Sequence, residues 1–316
     1  MILSTAGCVP YAQSENAMRN GAMNVRPDWA WHICRQANQG VSGLVNGTMV
    51  RIFVFAMSSN AAPLPTLPIL VINLRGSTGR WSKASAELAA AGLAFERLEA
   101  VDGRLLPQVE LDRLAPWDQA AFFKPLSPGE VGCYLSHLAA AERIVREGWP
   151  RALVLEDDFL LGEGFGARLA DVLEATCPAP DLIKLEGVRS GGQSLAVLGS
   201  GHQLLRNRRP PSRTIAQLWS LAGARKFLAA SRELRRPVDV QLKHWWEGNL
   251  EILHVSPPLV MDGDSSGRGS TIGARPSRGL LGRFRKMCYK LSFAWLSHWH
   301  YLRRWGLKAW WQAGLR

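Results

Sequence analysis

Residues 151–159 read R-A-L-V-L-E-D-D-F. The apolar run predicts a short buried strand of a parallel sheet, and three consecutive carboxylates follow it. Acids at the exit of a buried strand are costly for folding, because their charges repel one another and lose water. A hard divalent cation with a phosphate-bearing ligand would compensate them, and open α/β sheets bind ligands at this end of their strands. The alternative for an isolated E-D-D is an acidic, solvated turn.

Composition and charge bound the class of protein. The chain has 316 residues and 47% hydrophobic content, which suits one large or two modest domains with a sizeable core. Its net charge is +12, yet residues 275–316 contain ten Lys or Arg and no Asp or Glu. The basic character therefore belongs to a tail, and a nucleic-acid-binding domain is not indicated.

Cysteine usage points to a reducing compartment, and the hydropathy of the chain gives no sign of a membrane span. The five cysteines are scattered, odd in number and form no C-x-x-C pair, so neither a disulfide framework nor a structural zinc site is expected. No uncharged apolar run reaches the length of about 18 residues that a membrane-spanning helix requires. We therefore expect a cytoplasmic protein without a membrane span.

The pattern along the chain divides it into three segments. Residues 1–66 show little periodicity and end in a proline-rich stretch, so we expect a weakly ordered N-terminal extension. Residues 67–273 alternate strand-like and helix-like patterns, which predicts an α/β domain with a mostly parallel sheet flanked by helices. Residues 274–316 form a basic, aromatic tail, predicted to be an amphipathic helix.

A glycine-rich basic turn follows the first strand of the central segment. The apolar residues 69–74 predict that strand, and the next helix is predicted to end at Gly92. Arg75 and Arg80 lie in the turn, where they could face an anion together with backbone N–H groups. The alternative is an ordinary structural strand–turn–helix connection.

Local signals predict further elements. The sequence S-P-G-E at 127–130 favours the start of a helix, which should run to about Glu147. The glycine-rich residues 191–201 predict a mobile loop, residues 219–235 a helix, and residues 252–260 a last strand.

Eight short motifs, taken together and in their order along the chain, resemble glycosyltransferase family 25, the lipooligosaccharide galactosyltransferase group. They are V-I-N-L-R at 71–75, A-V-D-G at 100–103, L-S-P-G-E-V-G-C-Y-L-S-H at 126–137, L-V-L-E-D-D at 153–158, L-I-K-L-E at 182–186, A-G-A-R-K-F-L at 222–228, P-V-D at 237–239 and G-S-T-I at 269–272. The resemblance covers roughly residues 69–273 and implies a GT-A-like (Rossmann-like) fold, a nucleotide-sugar donor and a divalent metal, typically Mn²⁺, held at the E-D-D.

The resemblance also implies roles for individual residues. Glu156, Asp157 and Asp158 would be the metal and nucleotide-sugar acids. We assign the metal to Asp158 and Glu156 and the donor to Asp157, although Glu156 and Asp157 are not ranked by the sequence. Asn73, Arg75 and Asp102 would line the nucleotide, and Glu130 and His137 would shape the donor pocket. Arg80 is added to the donor-binding residues because it lies in the basic turn after the first strand. One departure is M-D-G-D at 261–264, where family members usually carry an amide-bearing residue.

An inverting transfer, which the resemblance favours, needs a base for the acceptor hydroxyl. Glu186 and Asp239 are the candidates, because each lies beside apolar residues that could raise its pKa. The alternatives are an ion pair for Glu186 and helix capping for Asp239. His137 could equally be a structural histidine.

The tail interleaves basic and aromatic residues, as interfacial helices on anionic lipid do. Its alternatives are a helix packed on the catalytic domain, or nucleic-acid contact by stacking. We favour peripheral association with the inner face of the cytoplasmic membrane.

The combined prediction is a metal-dependent hexosyltransferase that moves a hexose from a UDP-sugar to a lipid-linked lipooligosaccharide or LPS acceptor. Galactose is the favoured hexose. The alternatives are another UDP-sugar, a protein acceptor, or a membrane-binding module whose sugar site is dead.

Overall fold

The computed structural model describes residues 41–45, 48–52, 67–187, 191–263 and 280–314. The chain divides into two compact units, Met1–Ala62 and Pro63–Arg316. In the first unit, strands β1 (Val41–Val45) and β2 (Thr48–Ile52) form an antiparallel hairpin. The other residues of the predicted N-terminal extension, up to residue 66, lie outside the described part of the chain.

The second unit is built on an eight-stranded sheet. Its strands are β3 (Ile69–Asn73), β4 (Glu96–Glu99), β5 (Arg151–Glu156), β7 (Leu182–Lys184), β8 (Gln193–Val197), β9 (Gln203–Arg206), β10 (Ala216–Ser220) and β11 (Ile252–Ser256). Their order across the sheet is β4-β3-β5-β10-β7-β11-β9-β8. Strands β9 and β10 are antiparallel to every neighbour, and the remaining pairs are parallel. Six strands therefore share one direction. A separate ribbon pairs β6 (Phe159–Leu161) with β12 (Val260–Asp262).

Helices cover both faces of this sheet. They are α1 (Thr78–Ala90), α2 (Gln108–Leu114), α3 (Pro128–Glu147), α4 (Phe165–Ala175), α5 (Leu221–Ala230), α6 (Val238–Lys243) and α7 (Leu280–Gln312). Along β5 the buried side chains alternate: Val154 packs with residues of α3 and α5, and Leu153 with residues of α1 and α4. The predicted α/β fold, with a mostly parallel sheet between helices and a C-terminal helical tail, is confirmed.

Helix α3 is set by its own ends, as predicted. The Ser127 hydroxyl accepts from the Glu130 N–H and the Glu130 carboxylate accepts from the Ser127 N–H, which completes a capping box. At the other end, Gly148 has φ 64°, a left-handed conformation that glycine adopts without strain. These signals fix the helix that carries Cys133 and His137.

In the second half of the domain one predicted loop was wrong, and two predicted elements have other bounds. Residues 191–201 do not form a loop, because β8 pairs with β9 in a hairpin. The helix predicted for 219–235 is shorter than expected, because residues 219 and 220 belong to β10. The Ser220 hydroxyl accepts from the Gly223 N–H and caps α5. Residues 252–260 are two strands, β11 and β12, rather than one.

One face of α7 packs on the domain. Tyr301 and Ser297 are fully buried, and the Trp305 ring lies 4.6 Å from that of Trp245, centroid to centroid. The Arg304 guanidinium donates to the Leu250 carbonyl at 3.1 Å. The packed helix that the sequence left as an alternative is therefore present along this face. Within the described residues, no helix is both long and apolar enough to cross a bilayer.

Candidate active site

The three acids lie where the carboxyl ends of the central strands meet. Strand β5 ends at Glu156, beside Ile72 of the parallel strand β3. Asp157 and Asp158 form the turn into β6, and β12 pairs with β6 so that Asp262 lies opposite Phe159. Segments distant in sequence thus place four carboxylates at one edge of the fold.

Glu156 is bound by protein groups from two elements. Nε2 of the buried His137 lies 3.0 Å from Glu156 Oε1, and the Thr214 hydroxyl donates to the same oxygen. Although burial acts to raise the pKa of Glu156, the bonds from His137 and Thr214 outweigh it and lower this pKa. Glu156, predicted as a metal ligand, is therefore an ionised carboxylate already held by its neighbours.

Asp157 is held from the other side. Asn73 is buried and donates through Nδ2 to Asp157 Oδ2 at 2.5 Å, and Arg80 Nη1 donates to Oδ1 at 3.3 Å. Asn73 Oδ1 in turn accepts from Arg97 Nη2 at 2.5 Å. Burial raises the pKa of Asp157, while Asn73 and Arg80 oppose that rise. Asn73 and Arg80, predicted to bind the nucleotide, contact Asp157 in this structure.

Asp158 is placed differently from its two neighbours. Its Oδ1 atom is buried and has no hydrogen-bond partner among the described residues. Burial, followed by the charges of Glu156 and Asp157, raises the pKa of Asp158 to about 7, and Asp262 adds to the effect. A buried carboxylate oxygen without a donor is costly, so a cation at this position would be stabilising.

Asp262 was not among the predicted site residues. It lies on β12, and its Oδ2 atom is 2.8 Å from Arg213 Nη1. The Gly263 N–H donates to the Asp158 carbonyl at 2.7 Å, which ties the two acidic segments together. The available signal was the M-D-G-D departure at 261–264, where a carboxylate replaces the expected amide.

Arg75 and Asp102 follow β3 and β4 and lie toward the outer end of the same edge. The Arg75 side chain is 82% exposed and forms an ion pair with Glu99 at 3.0 Å. Asp102 accepts from Arg104 Nη2 at 2.7 Å, and this bond lowers the pKa of Asp102. Both side chains have protein partners in this structure, and their contact with the nucleotide stays a prediction.

Glu130 is engaged in the capping box of α3. Its Oε2 atom accepts from the Ser127 N–H at 2.8 Å and lies 2.5 Å from Lys124 Nζ. The contacts made by Oε2 are therefore structural, and they hold the start of α3 beside the site.

The two candidate bases differ in access. Glu186 is 1% exposed. Its Oε1 atom lies 3.1 Å from Lys184 Nζ, an ion pair without the geometry of a hydrogen bond. Its Oε2 atom accepts from the Ala216 N–H at 3.2 Å. Burial raises the pKa of Glu186 to about 7, while the Lys184 charge opposes that rise. Glu186 is thus enclosed by the sheet, as its ion-pair alternative describes.

Asp239 lies in the first turn of α6 and is partly exposed. Burial raises the pKa of the Cys133 thiol, and the charges of Glu156, Asp239, Asp158 and Glu130 raise it further. The charge of Asp239 thus acts on the same thiol as the charges of Glu156 and Asp158. Of the two candidate bases, Asp239 is the more accessible.

Cys133, His137 and Glu156 also form a compact group, with ligand atoms within 4.8 Å of one another. A thiolate, an imidazole and a carboxylate suit zinc better than manganese. However, the raised pKa of Cys133 favours the neutral thiol, and the bond between His137 and Glu156 is already made. The group is best explained as support for Glu156.

Comparisons with known proteins support the predicted family over the first part of the domain. The sequence model of glycosyltransferase family 25 (LPS biosynthesis protein) matches residues 66–192. The human "Inactive glycosyltransferase 25 family member 3" is 33% identical over 224 residues, which cover 61% of this chain and 36% of that protein. The cattle "Probable inactive glycosyltransferase 25 family member 3" is 30% identical over 244 residues, covering 66% and 39%.

A third relative carries an activity in its name. The mouse "Procollagen galactosyltransferase 2" is 28% identical over 111 residues, which cover 34% of this chain and 18% of that protein. The chain thus spans less than two fifths of the length of these curated relatives. The family match contains the E-D-D edge, β3 and α3, the elements from which the site is built. Residues 66–192 therefore match glycosyltransferase family 25, which supports the family that the motifs predicted.

Proposed function

We propose that this protein is a glycosyltransferase that moves a hexose from a UDP-sugar to an acceptor hydroxyl, with inversion at the anomeric carbon. Galactose is the leading candidate for the hexose. One observation carries the proposal: Asp158 has a buried carboxylate oxygen without a hydrogen-bond partner among the described residues, next to Asp262. The family supports the reaction class and a nucleotide-sugar donor.

The acids at this edge fit a hard divalent cation, for which Mn²⁺ is the first choice. Asp158 and Asp262 would hold it, in place of the predicted pair of Asp158 and Glu156, since Glu156 is already bound by His137 and Thr214. When bound, the ion would neutralise charge that develops on the diphosphate leaving group.

The surrounding residues of the chain would orient this edge and move the proton. Asn73 and Arg80 fix Asp157. His137 and Thr214 fix Glu156, so the turn that carries Asp158 is held at both of its acidic neighbours. We assign the base to Asp239, which would take the proton of the acceptor hydroxyl, because Glu186 is enclosed with Lys184.

Release of UDP from UDP-galactose tests the reaction. The full chain, assayed with Mn²⁺ and an oligosaccharide acceptor, is expected to release UDP, and EDTA is expected to abolish the release. Arg113→Gln, at an exposed ion pair with Glu110 on α2, is the matched control and should keep the full rate. Equal rates with Mn²⁺ and with EDTA would contradict a metal-dependent transferase.

A second candidate function is donor binding without turnover. The relatives that carry "inactive" in their names favour it. Titration calorimetry of UDP with Mn²⁺ separates the two functions when it is read beside the UDP-release assay. Binding with release supports the transferase, whereas binding without release on a panel of UDP-sugars and acceptors supports the inactive protein.

We further propose a lipid-linked oligosaccharide of the LPS class as acceptor, met at the inner face of the cytoplasmic membrane. The face of α7 opposite its packed side exposes large apolar residues at helical spacing: Leu280, Phe284, Met287, Leu291, Trp295 and Trp299. Lys and Arg flank this face and no acid occurs from residue 275 onward. Each basic residue near an anionic surface contributes roughly 1 kcal/mol.

Vesicle binding tests this surface with the full chain, because Tyr301 of the same helix is part of the core. The double variant Trp295→Ser/Trp299→Ser is expected to lose binding to phosphatidylglycerol vesicles, and neutral phosphatidylcholine vesicles are expected to bind weakly throughout. Val109→Ser, an exposed apolar residue on α2, is the control. Unchanged binding of the double variant would reject the membrane role.

A procollagen-type protein acceptor is the rival for the acceptor, on the name of one relative. Parallel assays with a lipid-linked oligosaccharide and with a hydroxylysine-containing collagen peptide distinguish the two acceptors.

A further inference from the structure

A buried lysine holds the turn between β9 and β10 from inside the domain. Lys184 has no exposed surface, and its Nζ donates to the Pro211 carbonyl at 2.8 Å and to the Arg213 carbonyl. Glu186 Oε1, 3.1 Å away, balances its charge. Because a charged group anchors two of its carbonyls, the backbone of this turn is fixed relative to the sheet.

The turn carries Arg213 in an unfavourable backbone conformation. Its φ is +78°, in the left-handed region that residues with a side chain rarely adopt. Such strain persists where the surrounding structure imposes it, and it is concentrated at ligand sites. The next residue, Thr214, binds Glu156, so the same turn supports the acidic edge.

The Arg213 side chain reaches that edge. Its Nη1 atom lies 2.8 Å from Asp262 Oδ2, and 48% of the side chain remains exposed. Arg80, which contacts Asp157, is less exposed, at 29%. Arg213 thus presents a guanidinium beside a carboxylate that we assign to the cation.

We propose that Arg213 binds the diphosphate of the donor. The inference rests on the proposed function and adds to it a phosphate-contacting residue. A cation bound between Asp158 and Asp262 would replace the ion pair of Asp262 with Arg213. The freed guanidinium then faces the phosphate oxygens, for which its planar set of N–H donors is suited.

The ratio of UDP affinity to uridine affinity isolates this contact, because only UDP carries the diphosphate. Both affinities are measured with Mn²⁺ by calorimetry or by competition. Arg213→Gln is expected to weaken UDP binding by about 10- to 100-fold and to leave uridine binding unchanged. Arg213→Lys should keep part of the UDP affinity, since it retains the charge. Arg113→Gln is the control for an exposed, ion-paired arginine.

A third variant separates binding from folding. Arg213→Gly removes the guanidinium and places at φ +78° the residue that adopts this conformation without steric cost. Its thermal midpoint is expected to equal or exceed that of the Gln variant, while its UDP affinity is equally low. A purely structural ion pair would instead show loss of stability without loss of UDP affinity.

The outcomes distinguish this inference from the proposed function. UDP binding that is unchanged in Arg213→Gln, or that falls together with uridine binding, overturns the role of Arg213 and leaves the transferase intact. A wild-type chain that binds no UDP with Mn²⁺ overturns both.

Discussion

The ends of β5 and β7 both carry an acid with a buried carboxylate oxygen, and the surroundings of the two acids differ. At the end of β7, Glu186 lies 3.1 Å from Lys184 Nζ and accepts from a backbone N–H. At the end of β5, Asp158 Oδ1 has no hydrogen-bond partner within the described ranges. Burial raises the pKa of each acid to about 7.

Glu186 and Asp158 therefore have similar pKa values but different roles. Glu186 has its cation inside the protein, so its charge is part of the structure. Asp158 lies at the carboxyl edge of the sheet, where open α/β folds bind ligands, and it forms no ion pair within the described part of the chain. A perturbed pKa points to a functional site only together with the missing partner and the access.

The largest expected effect is on catalysis at the β5 end. Asp158→Asn should lower the rate of UDP release by about 10²- to 10³-fold, because the amide cannot supply the carboxylate charge at the edge. The variant should fold and keep its circular dichroism spectrum. Glu186→Asp, which keeps a carboxylate at the enclosed site, should retain most of the rate. A wild-type rate in Asp158→Asn would remove the distinction between the two ends.

The next effect is on stability at the β7 end. Lys184→Met should lower the free energy of unfolding by about 3–5 kcal/mol, because Glu186 and two backbone carbonyls lose their cation in the interior. Urea unfolding measures this loss. The double variant Lys184→Met/Glu186→Leu should recover part of the stability, since no buried charge then lacks a partner. A single variant within about 1 kcal/mol of wild type would contradict an essential internal pair.

A smaller effect is expected in the pH dependence of the free energy of unfolding, which also compares the two acids. Because both acids have a pKa raised above the unfolded value, the stability they contribute is complete below the unfolded pKa and is lost as pH rises through about 7. In Asp158→Asn, the free energy of unfolding should exceed that of metal-free wild type by roughly 1–2 kcal/mol at pH 8.

The same measurement with metal and at low pH provides the control. Mn²⁺ should raise the stability of wild type at pH 8 and have little effect on Asp158→Asn. At pH 4 the two metal-free proteins should be nearly equally stable, since Asp158 is then protonated in the fold. A difference that persists at pH 4 would assign the gain to packing instead of charge.

The sequence was informative where the signals are local. The S-P-G-E start at 127–130 and the apolar run before the E-D-D predicted α3 and β5 within a residue or two. The mixture of basic and aromatic residues in the tail predicted an amphipathic helix. Which of its faces would pack on the domain depended on partners such as Trp245, which lie far away in the sequence.

The rest depended on long-range pairing. Gln217 lies fully buried in β10, and its side chain accepts from the Trp219 indole, so a central strand contains a polar residue that hides its apolar pattern. Asp262 reaches Asp158 only through the ribbon of β6 and β12. The role of Lys184 is likewise set by carbonyls 27 and 29 residues away.

The smallest expected effect concerns the support of Glu156, which stands between the two extremes. Thr214→Val removes one of the two side-chain bonds to Glu156 and keeps the shape of the residue. We expect a loss of about 1 kcal/mol in stability, and less than a tenfold loss in rate. Thr214→Ser, which retains the hydroxyl, should behave as wild type in urea unfolding and in UDP release. A loss in Thr214→Val as large as that in Asp158→Asn would mean that Glu156 itself contacts the donor or its cation, and the assignment of the metal to Asp158 and Asp262 would then be wrong.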